Sequence, residues 1–292
     1  MEKAKVAVIQ FPGSNCEYET ARAASFAGMD AEIFRWNRDP EELEAYDGYI
    51  LSGGFSYQDR IRAGAIAAKE PIMRKIVEEA EKGKPVLGIC NGAQILVESG
   101  VIPGIRPGRI EMAIALNRMC VGDVVVRRDY YCAWVYVKNV SPPKRSCASW
   151  EIEEGDILPM PIAHAEGRFV TRDENLISDL VSSRQIVFVY CDSEGRISQD
   201  FPVNPNGSVL SIAGLCNPKG NVVAMMPHPE RAAWIRQVPD GTEGRYGMLR
   251  EMAYGKIEEM NKPGPGWLVF HSFKRYIEQR RGSGGIGSEF QD

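Results

Sequence analysis

The 292-residue sequence lacks the features that mark several large classes of protein. It has no run of roughly 20 apolar residues, the length needed to cross a bilayer, and its mean hydropathy is −0.26. Its first apolar run, residues 6–9, is only as long as a strand, and no small-residue cleavage site follows it, so no signal peptide is expected. We therefore expect a cytoplasmic protein that does not enter membranes.

The sequence also lacks an excess of basic residues and a regular spacing of cysteines. The chain has 35 Lys and Arg against 39 Asp and Glu, for a formal net charge of −4. Nucleic-acid-binding proteins carry a strong basic field, so a nucleic acid is not an expected partner. The seven cysteines are scattered and lack Cys-x-x-Cys spacing. This pattern indicates free thiols in a reducing compartment, and it predicts neither a disulfide framework nor a metal site.

Short apolar runs alternate with helical stretches in the first third of the chain. The strand signals cover residues 6–9, 31–34, 48–51 and 85–89, and the helix signals cover 17–27, 71–81 and 93–98. Strands that alternate with helices form parallel sheets with helical crossovers on both faces. The predicted fold class is therefore α/β, with a doubly wound, mostly parallel sheet.

The remainder of the chain is richer in β signals. Antiparallel β-hairpins added to the sheet are predicted from residues 123–126, 133–137, 184–190, 209–215 and 221–226, which turn residues separate. Helices are predicted within 246–260 and 267–280. We expect a single domain, residues 1–281, and a disordered tail or vector remnant at the Gly- and Ser-rich residues 282–292.

The sharpest chemical signal is Gly-Ile-Cys-Asn-Gly at residues 88–92, between a predicted strand and a predicted helix. Gly-x-nucleophile-x-Gly is the pattern of a nucleophile elbow, in which the two glycines let the strand and helix backbones approach closely. Cys90 would lie at the positive end of the helix, which favours the thiolate. The alternative is that Cys90 is a small buried residue, as most free cysteines are.

A second signal is Pro-His-Pro-Glu at residues 227–230, after a predicted strand. Residues two apart in an extended segment point to the same side, so His228 and Glu230 can lie next to each other. The carboxylate would orient the imidazole, and the imidazole would take the proton of a nucleophile. The alternative is a solvated turn. Of the two other histidines, His164 is a rival base, which we expect to lie in the β-rich middle of the chain rather than beside Cys90. His271 is expected to pack among aromatic residues.

A third signal is the Gly-Gly pair at residues 53–54, where a predicted strand ends. Backbone N–H groups at such a pair can form an oxyanion hole or a phosphate cradle. The segment lacks the Lys of a P-loop and the full Gly-x-Gly-x-x-Gly pattern, which disfavours nucleotide binding. All three signals lie at the carboxyl ends of predicted strands, where open α/β sheets place their sites. Together they predict an acyl-transfer site.

These motifs resemble those of the class I, triad-type glutamine amidotransferases, whose sheet is flavodoxin-like. The resemblance rests first on Gly-Ile-Cys-Asn-Gly-Ala-Gln at 88–94 and on Pro-His-Pro-Glu-Arg at 227–231. Within that family, the chain most resembles the glutaminase subunits that serve phosphoribosylformylglycinamidine synthase in purine biosynthesis. The motifs similar to this branch lie at residues 11–16, 53–57, 62–67, 161–168, 204–208 and 212–214.

The resemblance implies a specific chemistry. Cys90 would attack the side-chain amide of glutamine, forming a thioester and releasing ammonia, while His228 shuttles the proton and Glu230 holds His228. Backbone N–H groups of the oxyanion hole and side chains that seat glutamine would come from Gly54, Phe55, Asn91 and Gln94. Two alternatives stay open: a stand-alone Cys hydrolase acting on γ-glutamyl amides, and an inactive amidotransferase-like regulatory module.

The resemblance also implies partners. Ammonia would pass to a separate synthetase subunit that makes formylglycinamidine ribonucleotide, and a small third subunit would bridge the two. ATP and Mg²⁺ would belong to the synthetase, with no cofactor and no metal in this chain. Residues 232–262 exceed the usual length of the family. Because Trp234, Tyr246 and Met248 lie there among charged residues, we predict that this extra segment forms an interface.

Overall fold

A computed structural model describes residues 2–283. Strands and helices alternate in its first third, because the short apolar runs are long enough only for buried strands and the intervening segments return the chain across the sheet. Strands β1 to β4 are Lys5–Gln10, Asp30–Arg35, Gly48–Leu51 and Val86–Ile89, and helices α1 to α3 are Glu17–Phe26, Pro71–Glu81 and Asn91–Glu98. The predicted elements of this region are thus present, with small shifts at their ends.

The middle of the chain is rich in strands, and several of them have no counterpart in the sequence prediction. Strands β5 to β9 are Ala113–Leu116, Arg118–Val121, Val124–Arg128, Tyr131–Asn139 and Ile157–His164. Strands β10 to β13 are Glu166–Val170, Ile186–Cys191, Ile212–Cys216 and Val222–Met225, and helix α4 is Glu174–Ser182.

One large sheet organises the fold. Nine strands lie in the order β2-β1-β3-β4-β13-β12-β11-β8-β9. The first five of these are parallel, and the remaining neighbours pair antiparallel. The α/β class with added antiparallel strands is therefore confirmed, and most of those strands widen the central sheet. Two separate ribbons, β5–β10 and β6–β7, stand beside it.

Local chemistry explains where the elements differ from the prediction. Strand β9 contains Pro159 and Pro161, which weaken a strand signal; they are tolerated because β9 is an edge strand. The strand predicted from residue 209 begins only at Ile212, since Leu210 and Ser211 have positive φ in a short 3-10 turn. The helix predicted within 246–260 is divided at Gly255, whose φ is +74°, into α5, Arg245–Met252, and α6, Ile257–Met260.

The closing helix α7, Trp267–Ser283, packs beneath the sheet through Phe270, Phe273 and other buried side chains. As expected, His271 packs on an aromatic ring, with 4.4 Å between its centroid and that of Trp267. The helix includes the first two residues of the predicted tail, and residues 284–292 lie outside the described part of the chain. Among the described helices, none combines the length and the apolar character needed to cross a bilayer.

The extra segment 232–262 contributes to the core as well as to the surface. Trp234 is buried and stacks on Phe26 of α1, with 4.8 Å between ring centroids, and Tyr246 is buried as well. Their predicted role as interface anchors is therefore wrong, because apolar rings beside α1 and the sheet complete the core instead. Met248 is 60% exposed, and it lies on the outer face of α5.

Candidate active site

The Cys90 segment has the geometry of a nucleophile elbow. Cys90 lies between the end of β4 and the start of α3. Its backbone has φ +51° and ψ −106°, a conformation that residues other than glycine rarely adopt. A Cβ on Gly88 would lie 2.6 Å from the carbonyl oxygen of Gly92, and a Cβ on Gly92 would lie 2.0 Å from that of Leu51. Both glycines are thus required where strand and helix backbones meet, as the sequence pattern predicts.

His228 and Glu230 form a buried pair beyond the end of β13. His228 Nδ1 lies 2.5 Å from Glu230 Oε1, and the two side chains are 2% and 0% exposed. The His228 backbone N–H donates to the carbonyl oxygen of Pro161 on β9, at 2.8 Å. Within residues 2–283, His228 Nε2 has no hydrogen-bond partner. The carboxylate therefore holds one ring nitrogen and leaves the other available for a proton from a nucleophile.

Gly53 brings that base next to the nucleophile. A Cβ at Gly53 would lie 2.8 Å from Cε1 of His228 and 3.5 Å from Cβ of Cys90. The imidazole and the cysteine therefore flank the same glycine at the end of β3. The structure places the three residues predicted as a triad in one cluster at one edge of the sheet.

Charge around His228 favours its protonated form. Burial by itself would lower the pKa of His228, but the Glu230 carboxylate, followed by Cys90 and Cys16, raises that pKa well above its ordinary value. An imidazolium next to Cys90 stabilises a thiolate and can donate a proton to a leaving group. This electrostatic arrangement suits nucleophilic attack by sulfur.

Cys16 also contacts the cluster, although no part of the prediction assigned it a role. Its Sγ lies 3.0 Å from Arg231 Nη2 and 3.1 Å from Asn15 Oδ1. Burial raises the pKa of Cys16, which favours the neutral thiol. Donor atoms of Cys16, His228 and Glu230 lie within 4.8 Å of one another, a set that could hold a transition metal, but the hydrogen bond between His228 and Glu230 already engages one atom of each. The position of Cys16, just after β1, was the available signal.

His164 is close to the nucleophile, which corrects its expected location in a separate β-rich region. It ends β9, and the carbonyl oxygen of the preceding Ala163 lies 3.8 Å from Cys90 Sγ. The expectation was wrong because β9 pairs antiparallel with β8 and so reaches the edge of the sheet that carries Cys90. Burial, together with His228, lowers the pKa of His164 to about 3. A histidine that stays neutral in this way is a poor proton acceptor, which favours His228 as the base.

The side chains of Asn91 and Gln94 connect the segments around the site by hydrogen bonds. Asn91 Oδ1 accepts from the Ser56 N–H at 3.1 Å, and Asn91 Nδ2 donates to Gln94 Oε1 at 2.8 Å. Gln94 Nε2 donates to the carbonyl oxygen of Glu166 at 2.6 Å. This chain of hydrogen bonds ties the loop after β3, helix α3 and strand β10 together. The Asn91 backbone N–H lies in the first turn of α3, where N–H groups have no acceptor within the helix.

A small cavity of about 80 Å³ opens at the cluster. Gly54, with φ +146°, lies on its wall; a Cβ there would be 2.7 Å from Ser14 Cα, so only glycine fits. Phe55 and Tyr130, at 45% and 47% exposed, stand at the mouth. Of the predicted residues, Cys90, His228, Gly54 and Phe55 line the cavity. Glu230 contacts His228 from outside the lining, and Asn91 and Gln94 also lie outside it. Tyr130 had no sequence signal. The full lining is Asn15, Cys16, Gly54, Phe55, Cys90, Tyr130, Ala163, His228 and Arg231.

Comparisons with known proteins agree with this geometry. The family model for the CobB/CobQ-like glutamine amidotransferase domain matches residues 3–276. A Methanothrix thermoacetophila protein named phosphoribosylformylglycinamidine synthase subunit PurQ is 51% identical over 280 residues, covering 95% of this chain and 99% of that protein. A protein of the same name from Pyrococcus furiosus is 45% identical over 247 residues, covering 84% and 97% respectively.

Solved structures show the same similarity. A chain in the structure of PurLQS from Thermotoga maritima is 29% identical, with a TM-score of 0.66, and the match covers 94% of this chain and 100% of that chain. A GMP synthase subunit from Thermoplasma acidophilum matches with a TM-score of 0.54 over 98% of this chain and 99% of that chain. At 13% identity, that second match shows the fold alone.

Proposed function

The chain belongs to the glutamine amidotransferase family, and on that basis we propose that it is the glutaminase subunit of a phosphoribosylformylglycinamidine synthase. It hydrolyses glutamine and delivers ammonia to a synthetase subunit that makes formylglycinamidine ribonucleotide in purine biosynthesis. The similarity to relatives of this name extends over nearly their whole length. The observation that carries the chemistry is the cluster of Cys90, His228 and Glu230 at one sheet edge.

The first half of the proposed reaction is thioester formation. The Cys90 thiolate attacks the amide carbon of glutamine, and the carbonyl oxygen takes up negative charge. His228, held protonated by Glu230, donates its proton to the amide nitrogen as the carbon–nitrogen bond breaks. Ammonia leaves, and the glutamyl group remains on the sulfur of Cys90.

The second half returns the enzyme to its starting state. His228 is now neutral, and it takes a proton from a water molecule that attacks the thioester carbon. Glutamate departs as the carbon–sulfur bond breaks, leaving the Cys90 thiolate and the His228 imidazolium. In both halves, Glu230 fixes the orientation of the ring and favours the imidazolium.

Two backbone groups suit the oxyanion that forms in both halves. Gly54 lies on the cavity wall next to Cys90, and Asn91 begins α3, whose positive end attracts negative charge. Phe55 covers the mouth of the cavity. The hydrogen bonds of Gln94 support a role in seating glutamine by holding Asn91 and the β10 segment in position.

The partners follow from the same assignment. The chain assembles with a small bridging subunit and with the synthetase. We propose that ATP and Mg²⁺ bind to the synthetase and that the residues around Cys90 need no cofactor. We also propose that the complex is cytoplasmic.

Partner dependence separates this function from a stand-alone γ-glutamyl amide hydrolase. Glutamine hydrolysis is measured for the chain alone and for the chain reconstituted with its two partner subunits in the presence of ATP and formylglycinamide ribonucleotide. A synthase subunit has little activity alone and gains it in the complex. Full activity without partners indicates the hydrolase, and inactivity in the assembled complex indicates a regulatory module.

A further inference from the structure

The β6–β7 hairpin has an unusually exposed apolar surface. Within the described residues its two strands pair only with each other. Val124 and Val126 on β7 are 66% and 51% exposed, and Val121 on β6 is 48% exposed. A two-stranded ribbon with apolar side chains in water is only marginally stable by itself, and natural proteins usually cover exposed strand edges. This surface is therefore suited to a partner.

The hairpin is held in a defined position. Met119 of β6 is fully buried beneath the ribbon. At the turn, the Gly122 N–H donates to Asp200 Oδ1 at 2.7 Å, and the Phe201 N–H donates to the carbonyl oxygen of Cys120 at 2.7 Å. The ribbon is thus preformed, so a partner that binds it loses little free energy in ordering it.

The charge of the hairpin indicates the chemistry of that partner. Residues 118–128 contain three exposed arginines and one acidic residue, whereas the whole chain has a net charge of −4. Arginines around exposed valines complement an apolar surface bordered by carboxylates. The three arginines are Arg118, Arg127 and Arg128.

The base of the hairpin forms part of the active-site wall. Asn117, which precedes β6 and is buried, donates through Nδ2 to the carbonyl oxygens of Asp129 and His164, at 2.9 Å and 2.7 Å. Its Oδ1 accepts from His164 Nδ1 at 3.1 Å. Tyr130, at the end of the hairpin, lines the cavity that contains Cys90. A partner seated on the hairpin therefore also reaches the mouth from which ammonia leaves.

We propose that the β6–β7 hairpin is the docking surface for the synthetase subunit, which binds it through an apolar patch bordered by carboxylates. This inference rests on the proposed function, since it names the surface that the partner of that reaction contacts. Docking here places the synthetase against Tyr130, beside the cavity in which ammonia is released. Ammonia can then pass between the subunits without entering bulk solvent.

Two hairpin variants test the proposal by direct binding. One is Val124→Asp with Val126→Asp, which places charge on the apolar surface; the other is Arg127→Glu with Arg128→Glu, which reverses the charge. The matched control is Val181→Asp on α4, because Val181 is 55% exposed. Helix α4 leads into β11, which runs parallel to β13. The carboxyl end of α4, with Val181, therefore lies at the sheet edge opposite to the one that carries Cys90. Affinity for the purified synthetase, with the bridging subunit present, is measured for each variant.

Both hairpin variants are expected to bind about tenfold or more weakly, the size of loss typical of a central interface residue, while the control binds as the wild type does. Circular dichroism and thermal unfolding check that each variant is folded. Should the valine variant misfold, the arginine variant still decides, since both arginine side chains are exposed and neither belongs to the core. Wild-type affinity in a folded hairpin variant overturns the proposal.

Two further outcomes separate this proposal from the proposed function. If wild-type chain binds the synthetase and the hairpin variants bind equally well, the docking surface is wrong and the function stands. If wild-type chain neither binds the synthetase nor gains glutaminase activity with it, the function fails first. A change in the oligomeric mass of the chain alone, with unchanged affinity for the synthetase, assigns the surface to a second copy and also overturns the proposal.

Discussion

Gly53 faces His228 with no room for a side chain between them. A Cβ at Gly53 would lie 2.8 Å from Cε1 of His228, closer than real Cβ atoms approach other carbons. The same point lies 3.5 Å from Cβ of Cys90 and 3.1 Å from Sγ of Cys16. The absence of a side chain at residue 53 is what lets the proposed base and nucleophile stand next to each other.

Gly53→Ala is therefore expected to damage catalysis more than folding. Its methyl group would push the imidazole away from Cys90, and a misplacement of about 1 Å can cost about 100-fold in rate. We expect kcat/KM for glutamine in the complex to fall by about that factor, with unchanged use of free ammonia. Gly282→Ala is the control, because a Cβ there meets nothing within 4 Å. Wild-type glutamine turnover in Gly53→Ala would show that the close contact does not matter.

The two buried histidines near Cys90 are expected to differ. His228→Ala removes the proton carrier, and glutamine hydrolysis should fall by roughly 10³-fold or more, as when one member of a catalytic triad is lost. His164→Ala should still form the thioester, because His164 stays neutral, with a pKa of about 3. It should instead weaken stimulation by the synthetase, since the His164 ring contacts Asn117 at the base of the hairpin. Rapid-quench detection of the thioester compares the two, and equal loss in both would refute the division of roles.

The raised pKa of His228 predicts a pH profile. Ammonia departs with a proton from His228, so thioester formation persists below the pKa of His228 and is lost as pH rises through it. Because the Glu230 carboxylate raises that pKa, activity should extend well above pH 6.5, the ordinary value for histidine. Glu230→Gln removes the charge that raises this pKa, so the alkaline limb should move to lower pH. An alkaline limb that stays in place in this variant would contradict the electrostatic role of Glu230.

The outer face of the extra segment is predicted to form an interface with the synthetase or with a second copy of the chain. Met252 and Ile257 are also exposed in this segment, at 69% and 79%, as Met248 is. Deleting the segment would also remove buried Trp234, so Met252→Lys with Ile257→Lys is the sharper variant. Weaker synthetase binding or a smaller oligomeric mass is expected, with unchanged thermal unfolding. If neither quantity moves, the face is not an interface.

Those parts of the site that depend on local sterics could be predicted from the sequence. The elbow at Cys90 requires glycine at 88 and 92, and both glycines can be recognised within the five consecutive residues 88–92. The pairing of His228 with Glu230 follows from the two-residue spacing of an extended segment. The parallel part of the sheet could be predicted as well, because each of its strands is a short apolar run ended by turn residues.

Contacts between distant parts of the chain could not be predicted in this way. Asn117 reaches His164 across 47 positions, and no local pattern marks an asparagine between two strands for that role. Strand β9 was missed because its two prolines disfavour a strand unless it lies at a sheet edge, and the edge is a property of the whole sheet. Because this strand carries His164, the predicted location of His164 away from Cys90 was wrong. Cys16 and Tyr130 join the cavity through the same long-range packing.

The most direct test of the central claim replaces the proposed nucleophile in the reconstituted complex. Formation of formylglycinamidine ribonucleotide by Cys90→Ala is measured with glutamine and, separately, with ammonia as the nitrogen source. Glutamine-dependent synthesis should be abolished and ammonia-dependent synthesis should stay at the wild-type rate, because free ammonia needs no thioester. Cys147→Ala, at a buried cysteine away from the cavity, is the control and should retain both activities. Appreciable glutamine-dependent synthesis by Cys90→Ala would contradict the account.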